Sequence, residues 1–82
     1  MQLSFAEKLQ IMRKRAGLNQ GAFGAKAFDL PLDSGRTKIK NIELGKQHPS
    51  EDEMVQLAQA LGVSADFLKT ERIETIQREG GD

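Results

Sequence analysis

Residues 17–46, GLNQGAFGAKAFDLPLDSGRTKIKNIELGK, decide the fold. They read as two helices around an interrupted turn. Asn19 suits an N-cap, because its side-chain oxygen can accept one of the free N–H groups of a helix start. A short helix follows over about Gln20 to Phe28, with Phe23 and Ala27 inward at i, i+4. Pro31 prevents that helix from continuing, since its ring clashes with the preceding turn and it has no N–H to donate. The next helix is expected to start near Ser34 or Gly35, to cover about 35–44, and to stop at Gly45, where glycine enters a left-handed turn at no steric cost. At 100° per residue Ile39 and Ile42 mark its buried stripe, leaving Arg36, Thr37, Lys38, Lys40 and Asn41 off it.

The flanks repeat this logic. Ser4-Phe5-Ala6-Glu7 is a capping box, and Phe5, Leu9 and Met12 follow at i, i+4, i+7 until Gly17 ends the first helix. Pro49 precedes a second capping box, Ser50-Glu51-Asp52-Glu53, whose helix buries Met54, Leu57, Ala58 and Leu61 and stops at Gly62. Ser64 caps a fifth helix bearing Phe67 and Leu68. No run alternates at period two, so the expectation is an all-α domain of five helices over residues 1–70. Residues 71–82 carry only Ile73 and Ile76 as apolar side chains and read either as an extension of the fifth helix or as a flexible tail.

Eighty-two residues suffice for one small core. The absence of cysteine excludes disulfides and thiolate metal sites. Apolar runs are too short for a membrane span or a signal peptide, which points to a soluble, cytoplasmic protein. The net charge is zero, but its distribution is not even. Residues 1–48 hold nine Lys/Arg against four acids, a surplus of five, and residues 49–82 hold three against eight, a deficit of five. One basic side is what a phosphate-facing domain shows.

The outward residues of the third helix suit the major groove of DNA, which admits a helix whose first residues meet base edges. Arg36 has the fork for guanine O6/N7, Asn41 can pair with adenine N6/N7, and Thr37 can reach a base or a thymine methyl. Lys40 lies with this base-facing set, although its ammonium, like that of Lys38, also suits phosphate. Gln20 sits where the free N–H groups of a helix start attract a phosphate. Lys46 and His48, just past the third helix, are candidates for phosphate contacts on the other side of the groove. His48 is the only histidine, so neither catalysis nor metal binding has a partner for it. The acids Glu51, Asp52 and Glu53 are accounted for by the positive end of a helix. With no nucleophile–base pair and no phosphate-cradling glycine loop, neither enzymatic activity nor a cofactor is expected.

Leu18-Asn19-Gln20, the small Gly24, Ile39…Ile42-Glu43-x-Gly45-Lys46, Pro49-Ser50 and Leu57-Ala58…Leu61-Gly62-Val63-Ser64…Phe67-Leu68 together resemble the Cro/cI-type (XRE) helix-turn-helix family over about Phe5 to Leu68. The resemblance implies a lambda-repressor-like fold, base contacts from the positions of Arg36, Thr37 and Asn41, and a backbone clamp by Gln20. It also implies a partly buried ion pair between Arg13 and Glu43. The chain departs from the family in two places. Gln20 to Ile42 is longer than usual, so the turn between helices two and three is enlarged, with the extra residues within Asp29-Leu30-Pro31-Leu32-Asp33 and Leu30 or Leu32 as its apolar plug. Gly24 replaces the usual alanine at the close helix–helix contact. The function implied is that of a transcriptional regulator, chiefly a repressor, binding a palindromic double-stranded operator as a homodimer through helix five and the 68–76 segment. A protein-interaction module that has lost DNA binding, or an antitoxin with a protein partner, fits the same residues.

Overall fold

The computed structural model describes residues 4–69 and contains five helices: α1 (Phe5–Arg15), α2 (Gln20–Phe28), α3 (Leu32–Glu43), α4 (Glu51–Leu61) and α5 (Ala65–Lys69). Local chemistry sets most of their ends. Ser4 and Glu7 form a reciprocal capping box on α1, as Ser50 and Glu53 do on α4. Asn19 Oδ1 accepts from Ala22 N–H at 2.7 Å, and Ser64 Oγ from Phe67 N–H at 3.0 Å. Gly17, Gly45 and Gly62 all turn the chain with positive φ after a helix. The division at residue 70 and the reading of 71–82 lie outside the described residues, as do Ile73 and Ile76.

The start of α3 differs from the sequence expectation. The helix begins at Leu32, not near Ser34 or Gly35, and ends at Glu43. Pro31 both ends one helix and prepares the next: its φ of −57° is already close to helical, and its carbonyl accepts Gly35 N–H at 2.8 Å, closing the first turn. The connection from α2 is Asp29-Leu30-Pro31, with Asp29 in the left-handed region at φ 56°. The extra length therefore continues into the first turn of α3. Leu32 is 64% exposed and plugs nothing. Leu30 is half-buried, and Ala27 and Phe28 supply the apolar packing at this end of the core.

One core joins all five helices. Leu9 of α1, Phe23 of α2, Ile39 and Ile42 of α3, Met54, Leu57, Ala58 and Ala60 of α4 and Leu68 of α5 are buried together. Each large side chain fully withdrawn from water contributes about 1.5–3 kcal/mol. Leu68 is fully buried, so this residue of the segment expected to join two protomers instead holds α5 against its own domain. Lys8 is fully buried as well; its ammonium donates to the Phe67 carbonyl and lies 4.0 Å from the centre of the Phe67 ring. It thus ties α1 to α5 and is absent from the basic surface.

The closest packing is between α2 and α3. A Cβ on Gly24 would lie 2.4 Å from Gly35 Cα and 2.5 Å from its carbonyl oxygen, and a Cβ on Gly35 would lie 3.0 Å from Gly24 Cα. One turn earlier on α2, a Cβ on Gly21 would stand 3.1 Å from the Leu32 carbonyl oxygen. The two backbones touch with no side chain between them.

This packing makes Gly24→Ala destabilising. Alanine favours the helix by about 1 kcal/mol over glycine, but its methyl would be driven into backbone, and overpacking costs roughly 1–3 kcal/mol or more. Thermal denaturation should show Tm lowered by about 4 °C or more. An unchanged or raised Tm would contradict the glycine–glycine contact.

Candidate nucleic-acid interface

Burial of Gly35, Ile39 and Ile42 fixes the rotation of α3 and turns the opposite residues outward. Asp33, Arg36, Thr37 and Lys40 are all exposed, at i, i+3, i+4 and i+7, and form one stripe along the helix. Arg36 Nη2 donates to Asp33 Oδ1 at 3.1 Å, and Thr37 Oγ donates to the Asp33 carbonyl at 3.1 Å. Asn41 is half-buried on the flank of the stripe, in a shallow depression shared with Leu30, Thr37, Lys38 and Gln47. Its carbonyl accepts from Lys46 N–H at 2.9 Å, so the turn after α3 folds back beneath it and presents Lys46 exposed.

The N-terminus of α2 lies beside this stripe. Asn19, the N-cap of α2, with residues 20–22 of α2 and Leu32, Asp33 and Arg36 of α3, lines a common concavity. A Cβ on Gly21 would be 3.8 Å from Arg36 Cβ, which places the stem of Arg36 against the start of α2. A helix start offers unpaired N–H donors and a positive dipole end. The arrangement therefore puts anion-attracting backbone next to the exposed Asp33 and Arg36 side chains.

Three residues expected on phosphate make contacts within the protein. Gln20 Nε2 donates to Glu43 Oε1 at 3.0 Å. Lys38 Nζ lies 2.7 Å from Glu53 Oε2 and 5.1 Å from the centre of the Phe28 ring, so its charge bridges α3 to α4. This ammonium is the main reason that the Glu53 carboxyl titrates below its ordinary value, with the Ser50 backbone N–H adding to the effect. His48 is exposed and packs edge-on against Phe5, with ring centres 6.1 Å apart. Sequence periodicity could not reveal these partners, since each contact depends on how separate helices meet. Asp33, by contrast, is legible once α3 is known to start at Leu32, because it stands three residues before Arg36 on the same helix.

Arg13 and Glu43 meet in the most buried polar contact between α1 and α3. Arg13 Nε donates to Glu43 Oε2 at 2.7 Å and Nη2 to Oε1 at 3.3 Å, while Nη1 donates to the Leu18 carbonyl at 2.9 Å. Their side chains are 9% and 4% exposed. Together with Gln20 they join the end of α1, the α1–α2 connection, the start of α2 and the end of α3.

Among known families, the model described as "Helix-turn-helix domain" matches residues 4–69 of the chain. No curated protein and no solved structure matches it. Among the described residues, no helix is long and apolar enough to cross a membrane.

Removing one partner of a buried ion pair strands the other charge and costs about 3–5 kcal/mol. Glu43→Ala should therefore lower Tm by roughly 10 °C or more. An unaltered Tm would show that the pair does not hold α3 in place.

Proposed function

The chain belongs to the helix-turn-helix domain family, of the Cro/cI-type (XRE) class, and from that premise we propose that it is a sequence-specific transcriptional regulator. In this reading α3 enters the major groove. Arg36 reads a guanine, Thr37 and Asn41 read neighbouring bases, and Lys40 reaches a base edge or the adjoining phosphate. The start of α2 and Lys46 hold the backbone on either side. Gln20 acts through the N–H groups of its helix end and through Glu43, which positions it. Lys38 and His48, already engaged with Glu53 and Phe5, are left out of the contact set.

The observation that carries this reading is the stripe on α3: Arg36, Thr37 and Lys40 project from the face opposite the buried Ile39 and Ile42. A single helix of this length reads only a few base pairs, so the protein acts as a homodimer on a two-fold symmetric operator, with half-sites about one turn apart. Occupying such a site blocks a promoter without any further contact, which favours repression over activation. The protein acts in the cytoplasm, on the nucleoid when bound to DNA.

Selection of bound sequences from a random duplex library at near-physiological salt tests this. A palindromic consensus is expected. Arg36→Ala should relax preference at one base position and weaken binding by about 1–3 kcal/mol. Lys46→Ala should weaken all sequences alike and reduce the slope of log K against log salt by about one. No enrichment by folded protein would reject the proposal in favour of a protein-interaction module or an antitoxin whose partner is a protein.

A further inference from the structure

The extended first turn of α3 places a carboxylate where a DNA-reading helix would ordinarily gain from a neutral or positive group. Asp33 is 93% exposed at the start of the stripe, and its only side-chain contact among the described residues is with Arg36, itself 63% exposed. Exposed pairs of this kind add little to stability. A negative charge on this face is also repelled by phosphate, so the position opposes non-specific binding. What the pair does accomplish is geometric. The Arg36 guanidinium carries five N–H donors, and Asp33 engages one of those on Nη2. Nη1 and the second Nη2 proton remain for the O6/N7 edge of a guanine, on a fork whose ordering is partly complete before binding. Gly21 on the other side leaves room for the arginine stem against α2.

We propose that Asp33 is a specificity-determining residue of this interface: it positions the Arg36 fork and accepts a hydrogen bond from the exocyclic amine of a cytosine at the base pair next to the guanine. The inference rests on the DNA-binding reading above. The carboxylate has a second oxygen for that amine, and cytosine N4 is the donor that an aspartate reads in the major groove. When the helix sits out of register, the same carboxylate faces a phosphate and the complex is penalised. Specificity thus comes from repulsion at wrong sites as well as attraction at the right one.

The test is library selection with the wild-type chain, Asp33→Ala and Asp33→Asn, followed by salt-matched affinities for the selected site and for an unrelated duplex. The wild type should select a cytosine beside the guanine. Asp33→Ala should keep the guanine, lose the neighbouring preference and bind the unrelated duplex more tightly, so that the ratio of specific to non-specific affinity falls about tenfold. Asp33→Asn should move the neighbouring preference towards adenine, the base that an amide pairs with. If both variants return the wild-type consensus and ratio, with only Tm lowered, Asp33 is no more than an acid at a helix start, and the inference is overturned. Should Asp33→Ala fail to fold, the asparagine variant decides. If the wild type enriches nothing, the DNA-binding reading fails first and takes this inference with it.

Discussion

The contact of Gly24 with Gly35 is the constraint on which the rest of the domain depends. Helices normally pack with side chains between their axes, and those side chains set both separation and angle. Here backbone meets backbone: a methyl on Gly24 would fall within 2.6 Å of three Gly35 atoms. That approach brings α3 close enough to α2 for Ile39 and Ile42 to reach the core occupied by Phe23 and Leu57. Once those isoleucines are buried, the rotation of α3 is fixed, and Arg36, Thr37 and Lys40 face outward. Glycine in a helix interior costs conformational entropy, and this fold accepts that cost on both helices to place one surface.

The opposite end of α3 is fixed by charge. Glu43 takes hydrogen bonds from both Arg13 and Gln20, so three separate segments converge on one carboxylate. Burying such a pair is expensive, and its net contribution to stability is correspondingly modest. Its geometry is demanding, however, because Arg13 also satisfies the Leu18 carbonyl. Lys38 adds a lateral tie to Glu53 at the start of α4. A helix held at its first turns by close backbone packing, at its last by a polar network and at its flank by an ion pair presents its outer stripe rigidly. Rigid presentation is what a recognition surface requires, because disorder in the reading residues has to be overcome on binding.

The sequence disclosed those features that are governed by neighbours along the chain. The capping boxes at Ser4 and Ser50, the Asn19 cap and the turning glycines at 17, 45 and 62 need only a few residues to be recognised. The apolar positions Leu9, Phe23, Ile39, Ile42 and Leu57 follow from helical spacing. Pro31 is ambiguous in sequence because the same ring that stops one helix suits the entry to the next, so the start of α3 at Leu32 does not follow from the proline alone. Gly35 carried no signal of its own, since its importance lies in Gly24, a residue on another helix. The charge pattern was legible only in part. Of the nine basic residues before residue 49, Lys8 and Arg13 are buried and Lys38 is paired with Glu53, whereas Lys14, Arg15, Lys26, Arg36, Lys40 and Lys46 are exposed. Which lysines face solvent was decided by how α4 and α5 dock.

We propose that DNA docks on the start of α2 and the outer stripe of α3. The most direct measurement is a titration of the 15N-labelled protein with a short unlabelled duplex at low salt, following amide shifts residue by residue. Phosphate attraction makes an interface visible there even before an operator is known. Shifts are expected to concentrate at residues 19–22, 32–41 and 46, with the outer face of α4 around Val55 and Gln59 unaffected. Shifts concentrated on α4 and α5, or none at all at low salt, would contradict it.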